Sequence, residues 1–470
     1  MMPTFPRTLR LALLGTALPL LVSCVGSRPA SERSGVPVPA AWRAGGDGAL
    51  DVAALAHWWR RFRDPVLDEL IARAFEGSPD LRTSVSRIRE ARARRGLATS
   101  AFFPTVSGRT SGRTERSKNH DLNIVTESER YSASLDASWE IDLFGKQFEQ
   151  YKASSADYRQ AVENFFSARV SLAAEVAEVY MTLRSAEEQA RVVEQNLSLR
   201  EETVQLTRWR AEAGQTSELD LQQAISTLEQ ARGTLPALRQ SVLQNRNQLA
   251  LLCGLTPGGL DAVLAKPRGL PKLPPRLAVG IPAEALRQRP DVRAAEEALL
   301  AATARTEAAW RERLPTLSLS GTIGIEALKA GRLFSPQSSA SSLVGTLAAP
   351  IFDAGRIRQN IRIQNEQEKQ ALIAYEATVL RALSEVENAL IAIRQTAERL
   401  AVLDNARAAA LAAAVLAQQQ YEAGLVDLTV VLDAQRVLLS IEEQQMTTRA
   451  NQLSAHIQLY KALGGGWQPE

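Results

Sequence analysis

Tyr131-Ser132-Ala133-Ser134-Leu135-Asp136-Ala137-Ser138-Trp139-Glu140-Ile141-Asp142 is the stretch that decides the fold of this chain. Successive side chains of an extended strand point to opposite faces. Tyr131, Ala133, Leu135, Ala137, Trp139 and Ile141 therefore share one face, and Ser132, Ser134, Asp136, Ser138, Glu140 and Asp142 share the other. The first face is apolar, with aromatic side chains toward its ends, and the second carries carboxylates and hydroxyls. That division suits hydrocarbon on one side and water on the other, although a half-buried strand of a soluble sheet has the same period. Leu317, Leu319, Ile323 and Ile325, alternating with Thr316, Ser318, Ser320 and Thr322, repeat the theme. Strands are expected near 103–114, 129–142, 315–325 and 341–351. Four strands cannot close a barrel, and an open edge in lipid leaves backbone N–H and C=O groups unpaired. The chain must borrow strands from copies of itself. Three copies would supply twelve, enough for a water-filled barrel, but the pattern alone does not fix the number at three.

Outward from the strands, the helices are too long for an ordinary globule. Between Lys146 and Glu212 there is neither Pro nor Gly, and the same holds from Arg356 to Glu422. Each run would extend ~100 Å as a helix. Val162, Phe166, Val170, Ala173, Ala177, Tyr180, Leu183, Ala186, Ala190, Val193 and Leu197 recur every three or four residues, a heptad-like seam. Helices are expected near 65–99, 146–212, 217–252, 283–312, 356–422 and 428–463. The lengths suggest that two shorter helices, stacked end to end, flank each long one.

The chain repeats itself with a shift of about 210 residues. Ser78-Pro79-Asp80-Leu81-Arg82 returns as Arg289-Pro290-Asp291-Val292-Arg293, and Phe103-Pro104-Thr105 as Leu314-Pro315-Thr316. Asp142-Leu143-Phe144-Gly145-Lys146 lines up with Phe352-Asp353-Ala354-Gly355-Arg356, and Glu212-Ala213-Gly214 with Glu422-Ala423-Gly424. The first repeat is placed at 57–256 and the second at 283–463, with a Pro-rich linker at 257–282 and a tail at 464–470.

At the N-terminus Arg7 and Arg10 precede an apolar run, Leu11 to Val22, too short to cross a bilayer as a mature helix. Residues 1–23 read as a secretory signal peptide. Leu21-Val22-Ser23-Cys24 resembles a lipobox, with the Cys24 thiol as the atom that takes up lipid, and 24–56 reads as an acylated tether. The 55 basic and 52 acidic side chains nearly cancel, so nothing draws the chain toward nucleic acid. Cys24 and Cys253 imply no disulfide framework, and His57, His120 and His456 are too scattered for a metal site. No cofactor is expected beyond the covalent lipid on Cys24.

Five stretches together resemble the outer-membrane factor family, the TolC-like channels, and within it the NodT-type efflux lipoproteins. They are Trp58-Trp59-Arg60-Arg61-Phe62-Arg63-Asp64-Pro65; Trp139 through Gly145; Ile281-Pro282-Ala283-Glu284-Ala285-Leu286 running on to Asp291; Pro350 through Arg356; and Tyr421-Glu422-Ala423-Gly424 with Val431-Leu432-Asp433-Ala434-Gln435-Arg436. The resemblance implies a mainly α fold with a membrane β-barrel: a homotrimer whose twelve-stranded barrel, four strands per chain, continues a coiled-coil α-barrel. It implies an outer-membrane location with a long periplasmic portion. A periplasmic adaptor, an inner-membrane transporter and outer-membrane lipid would be the partners.

Three functions are open to such a chain: an exit duct for an energised efflux pump (with type I protein secretion its nearest rival), a coiled-coil structural lipoprotein, and an envelope enzyme. No nucleophile–base set, phosphate loop or metal spacing supports the enzyme. Asp64, Asp80 and Asp291 read as acids at helix starts, and Cys253 as a small buried residue at a helix end. The stretches 115–128 and 326–340 are expected as loops on the extracellular side. The turns at Gly214 and Gly424 belong at the far, periplasmic tip. There the resemblance implies a gate: a ring of Asp433 with apolar reinforcement from Val430, held partly by a Tyr421–Asp220 hydrogen bond. Val426 and Val430 stand where some family members carry charged residues. Solvated acids on a helix face are the alternative for Asp220 and Asp433.

Overall fold

The computed structural model of the chain describes residues 35–45, 52–119, 121, 124–274, 279–280 and 282–467. The chain divides into two compact units, Met1–Pro37 and Val38–Glu470. The stretch read as a signal peptide, Cys24 and about half of the stretch read as a tether lie outside the described residues, so the description concerns the second unit.

The internal repeat is visible in the element lengths. Helices α1 (Val52–Ala56), α2 (Pro65–Gly77) and α3 (Pro79–Ser100) lead into strands β1 (Thr105–Asn119) and β2 (Ile124–Ile141). Helix α4 (Lys146–Glu212) then runs for 67 residues and returns through α5 (Glu218–Leu252, 35 residues). After the short α6 (Asp261–Leu264), the second half runs α7 (Pro282–Gln288), α8 (Pro290–Arg311), β3 (Thr316–Ala327) and β4 (Ser339–Ala348). It ends with α9 (Arg356–Glu422, 67 residues) and α10 (Leu428–Ala462, 35 residues). The stacking expected from lengths is present: α3 and α5 both pack on α4, while α8 lies against both long helices and α10 against both.

The helices expected over 65–99 and 283–312 are each two. Pro79 and Pro290 lack the N–H that would continue the preceding helix, and each pushes its neighbour into extended backbone. Ser78 and Arg289 accordingly have ψ of 126° and 122°. Only Asp64 of the three acids read as caps serves as one, accepting from the Val66 N–H at 2.9 Å. Asp80 and Asp291 lie inside the first turn, where a carboxylate still favours the helix dipole.

The four strands form one antiparallel sheet in the order β1-β2-β3-β4. The register pairs Leu135 with Gly108 on one side and Ile323 on the other, and Ile323 with Ser341. One face therefore gathers Val106, Leu135, Trp139, Ile141, Leu319, Ile323, Ile325, Leu343 and Leu347, with no charge between the rows of Tyr131 and Ile141. Ten residue steps from Ile141 to Tyr131, at about 3.4 Å each and a tilt of about 40°, give a band roughly 25 Å tall. The hairpin of β1 and β2 continues beyond it. The loop expected at 115–128 is instead paired strand as far as Asn119 and from Ile124, with Arg116 and Glu127 paired at 3.2 Å on the otherwise apolar face. Alternating charge kept these residues from reading as strand, yet above an apolar band a charged ladder is stable in water.

Each long helix leaves the sheet through the same sharp turn. Gly145 and Gly355 adopt φ of +76° and +86°, a left-handed conformation that strains a side chain. Asp142 accepts from the Phe148 N–H at 2.9 Å, and in the second repeat Asp353, one position nearer its glycine, accepts from the N–H groups of Gly355 and Ile357.

Midway along the helices lies the main core. Trp58 stacks on Tyr460 with centroids 5.1 Å apart, and Trp467 stacks on Phe166 at 4.7 Å. The stretch read as tether is docked at Trp42, which is buried and donates its Nε1–H to the Gly280 carbonyl at 3.0 Å. The tail is docked too, with the Gly466 N–H on the Leu55 carbonyl.

Candidate gate at the helical tip

Both long helices end in a reversal built by glycine. Gly214 and Gly424 have φ of +71° and +74°. The N–H of Gln215 returns to the Arg210 carbonyl at 2.8 Å, and that of Leu425 to Gln420 at 2.9 Å. This six-to-one closure satisfies helix-end carbonyls and sends the chain back antiparallel. The two tips thus lie a full long-helix length from the sheet, about 100 Å along the helix.

Beneath the turns the two hairpins meet in a satellite core of Val193, Leu197, Val204, Leu228, Leu428 and Val431. Tyr421 is buried against it at 3% exposure. Its hydroxyl lies 3.2 Å from Thr207 Oγ1, a bond between the first hairpin and the second. The Arg210 guanidinium lies over the Tyr421 ring at 4.4 Å and donates to the Glu422 carbonyl at 2.7 Å. One turn deeper, Gln435 Nε2 donates to Thr203 Oγ1 at 3.2 Å. Three polar links thus join hairpin to hairpin along one seam.

The expected Tyr421–Asp220 hydrogen bond is not formed. The Asp220 carboxylate accepts instead from Ser217 Oγ at 2.6 Å, Thr216 Oγ1 at 2.7 Å and the Ser217 N–H, completing a capping box at the start of α5. Those bonds, from Ser217 first and Thr216 second, hold its carboxyl below the usual range. A capping box is local and forms as the helix does, so it claims the carboxylate before a partner in another hairpin. Asp433 and Val430 sit three residues apart on exposed α10 surface, and Asp433 pairs with Arg436 at 2.8 Å. Asp433 also borders a shallow groove with Gln223 and Thr227 of α5. The links to Thr207 and Arg210 were not anticipated from the sequence. A signal existed: the repeat shift sets Tyr421 against Ala211, so the two tips differ at the residue that reaches across.

Elsewhere, Cys253 is buried at the end of α5, where burial pushes its thiol up to about 11. Among the described residues no group of three or more His, Cys, Asp or Glu side chains could hold a metal ion.

Comparison with known proteins places this geometry. The family described as "Outer membrane efflux protein" matches residues 70–255 and 281–465, one match for each half of the chain. The pyoverdine export outer membrane protein OpmQ of Pseudomonas putida is 33% identical, over 99% of both chains. The toluene efflux pump outer membrane protein TtgF of Pseudomonas putida is 32% identical, over 97% of this chain and 96% of its own. Among solved structures, the outer-membrane channel OprN superposes with a TM-score of 0.88 at 34% identity, covering 93% of this chain and 99% of that one. The open state of the MtrE outer membrane channel of Neisseria gonorrhoeae gives 0.82 at 29% identity, over 94% and 98%. The fold is that of the α-barrel and β-barrel channels, and the location is the outer membrane. With its two repeats, membrane-facing sheet and helical tip, the chain belongs to the outer membrane efflux protein family.

Proposed function

We propose that three copies of this chain form a passive duct that carries solutes from a periplasmic adaptor and an inner-membrane transporter to the outside, with a closable entrance at the Gly214 and Gly424 tips. The observation that carries the reading is the four-stranded sheet with an uncharged apolar band and two open edges. Three such sheets give a closed twelve-stranded barrel, which leaves no unpaired edge in hydrocarbon. Asp433 and Val430 form the constriction, on the exposed surface that remains once Tyr421 and Val431 are turned inward. Reconstituted in planar bilayers, the protein is expected to open discrete channels, and Asp433→Ala to reduce block by multivalent cations severalfold, because acidic rings attract cations. No channels would refute the duct. Unchanged block would leave the duct and remove Asp433 from its narrowest point.

Cys24 is proposed to be the lipidated N-terminus of the mature protein. The support is the lipobox-like Leu21-Val22-Ser23-Cys24 after an apolar run. Intact mass should show residues 1–23 removed and acyl chains added. Cys24→Ser should lose the lipid mass and still insert, because the barrel is itself an anchor. Retention of residues 1–23 in the wild type would refute the assignment.

A further inference from the structure

The polar face of the sheet carries its charges in an order. Along β2 from the helical end, Glu140 and Asp136 come first. Arg109 follows, opposite Ser134, then Glu326, opposite Ser132, then Arg113 and Arg130, directly opposite each other, and outermost Glu115, opposite Ser128. The acidic end is partly quenched: Asp136 accepts from Thr322 Oγ1 at 2.8 Å and Ser134 Oγ at 3.3 Å, with Arg109 at 3.8 Å. At the other end, Arg113 and Arg130 are 72% and 64% exposed. Their carboxylate partners lie one row away on either side, Glu115 at 3.2 Å and Glu326 at 3.1 Å. Like charges directly opposite on one face of an antiparallel pair repel, so this row is unfavourable for the sheet itself. Exposed pairs of this kind are solvated and weak, and each guanidinium keeps N–H donors facing open space.

We propose that Arg113 and Arg130 form an anion-attracting ring at the outer end of the barrel, favouring the exit of small solutes that carry carboxylate or phosphate. The proposal rests on the trimeric duct: three copies bring six guanidinium groups to one level. Rings of arginine draw anions at close quarters as acidic rings draw cations. The same hairpin supplies an internal control. Arg116 and Lys118 lie on the same strand but on the opposite face, turned away from the polar interior.

The test is the chloride-to-potassium permeability ratio in planar bilayers under a potassium chloride gradient in dilute salt, where charges are least screened. An Asp433→Ala background keeps the tip from setting the ratio. Arg113→Gln with Arg130→Gln should move the ratio toward potassium by roughly twofold or more, while Arg116→Gln with Lys118→Gln, removing equal charge, should leave it in place. Should the double variant fail to assemble, Arg113→Gln alone, which relieves the repulsion, should give about half the shift. An unmoved ratio in a conducting protein overturns the ring and leaves the duct. Equal shifts in both double variants also overturn it, since net charge near the mouth would then suffice. A background protein that opens no channels removes the duct and the ring together.

Discussion

Arg184→Met should destabilise the folded chain by about 3–5 kcal/mol, and Arg184→Met with Glu187→Leu should recover most of that loss. Arg184 is fully buried on α4, and its guanidinium donates to Glu187 one turn on, at 2.5 Å. The Glu187 side chain is 6% exposed and also accepts from Arg246 of α5 at 3.1 Å. The same two arginines reach the segment between the repeats, Arg184 to the Lys266 carbonyl and Arg246 to the Leu264 carbonyl. Beside them the Tyr180 hydroxyl donates to Asp64 at 2.6 Å, and burial, reinforced by that bond, raises the phenol well above its ordinary range. The cluster fastens the seam between the repeats to the first long helix. Removing Arg184 leaves the buried Glu187 carboxylate with only the longer, partly exposed Arg246 contact, whereas removing both leaves Arg246, 23% exposed, free to turn toward solvent. Melting of the detergent-solubilised protein, with denaturant unfolding of the same variants, gives the comparison. Equal losses in the single and double variants would show that packing, and not an under-compensated carboxylate, sets the cost.

Tyr421→Ala should raise the open fraction of single channels by about ten- to a hundredfold, and Tyr421→Phe by only severalfold. Alanine removes the hydroxyl bond to Thr207, the ring under Arg210 and the apolar plug between the hairpins. Phenylalanine removes the hydroxyl alone, worth about 1 kcal/mol. A buried cation–π contact adds up to about 2 kcal/mol. If opening at the proposed gate parts the two hairpins, it breaks these contacts, and their sum then favours closure. Open probability from single-channel recordings is the readout. If alanine and phenylalanine behave alike, the ring contributes nothing to closure. If neither opens the channel, this seam stays shut in both states and the gate lies elsewhere.

The parts of the fold legible in the sequence are those governed by local rules. The long helices run from Lys146 to Glu212 and from Arg356 to Glu422, as the absence of Pro and Gly implied, because nothing inside them opposes helix and a glycine ends each. The two faces of β2 follow from period two alone. The breaks at Pro79 and Pro290 were equally local, but the run of helix formers on either side masked them. Tyr421 and Thr207 are 214 residues apart, and Tyr180 and Asp64 are 116 apart. Such pairs depend on how one hairpin settles against another, which no window of sequence contains. The resemblance located Tyr421 at the tip but assigned it the wrong partner, because Asp220 is satisfied by its own helix cap.

The sheet ends at β1 and β4, and among the described residues neither strand has a second neighbour within the chain. A lone copy entering the bilayer would carry two rows of unmatched backbone donors and acceptors into hydrocarbon, at several kcal/mol per group. Meeting other copies must therefore precede insertion or coincide with it. The rate at which mature channels appear should climb more steeply than the first power of chain supply. While a copy waits, its bare edges are templates for any extended peptide, so underproduction or a slow encounter step favours aggregates over channels. The cell's capacity for this protein would then depend on keeping unassembled copies escorted, and less on how fast each one folds its helices.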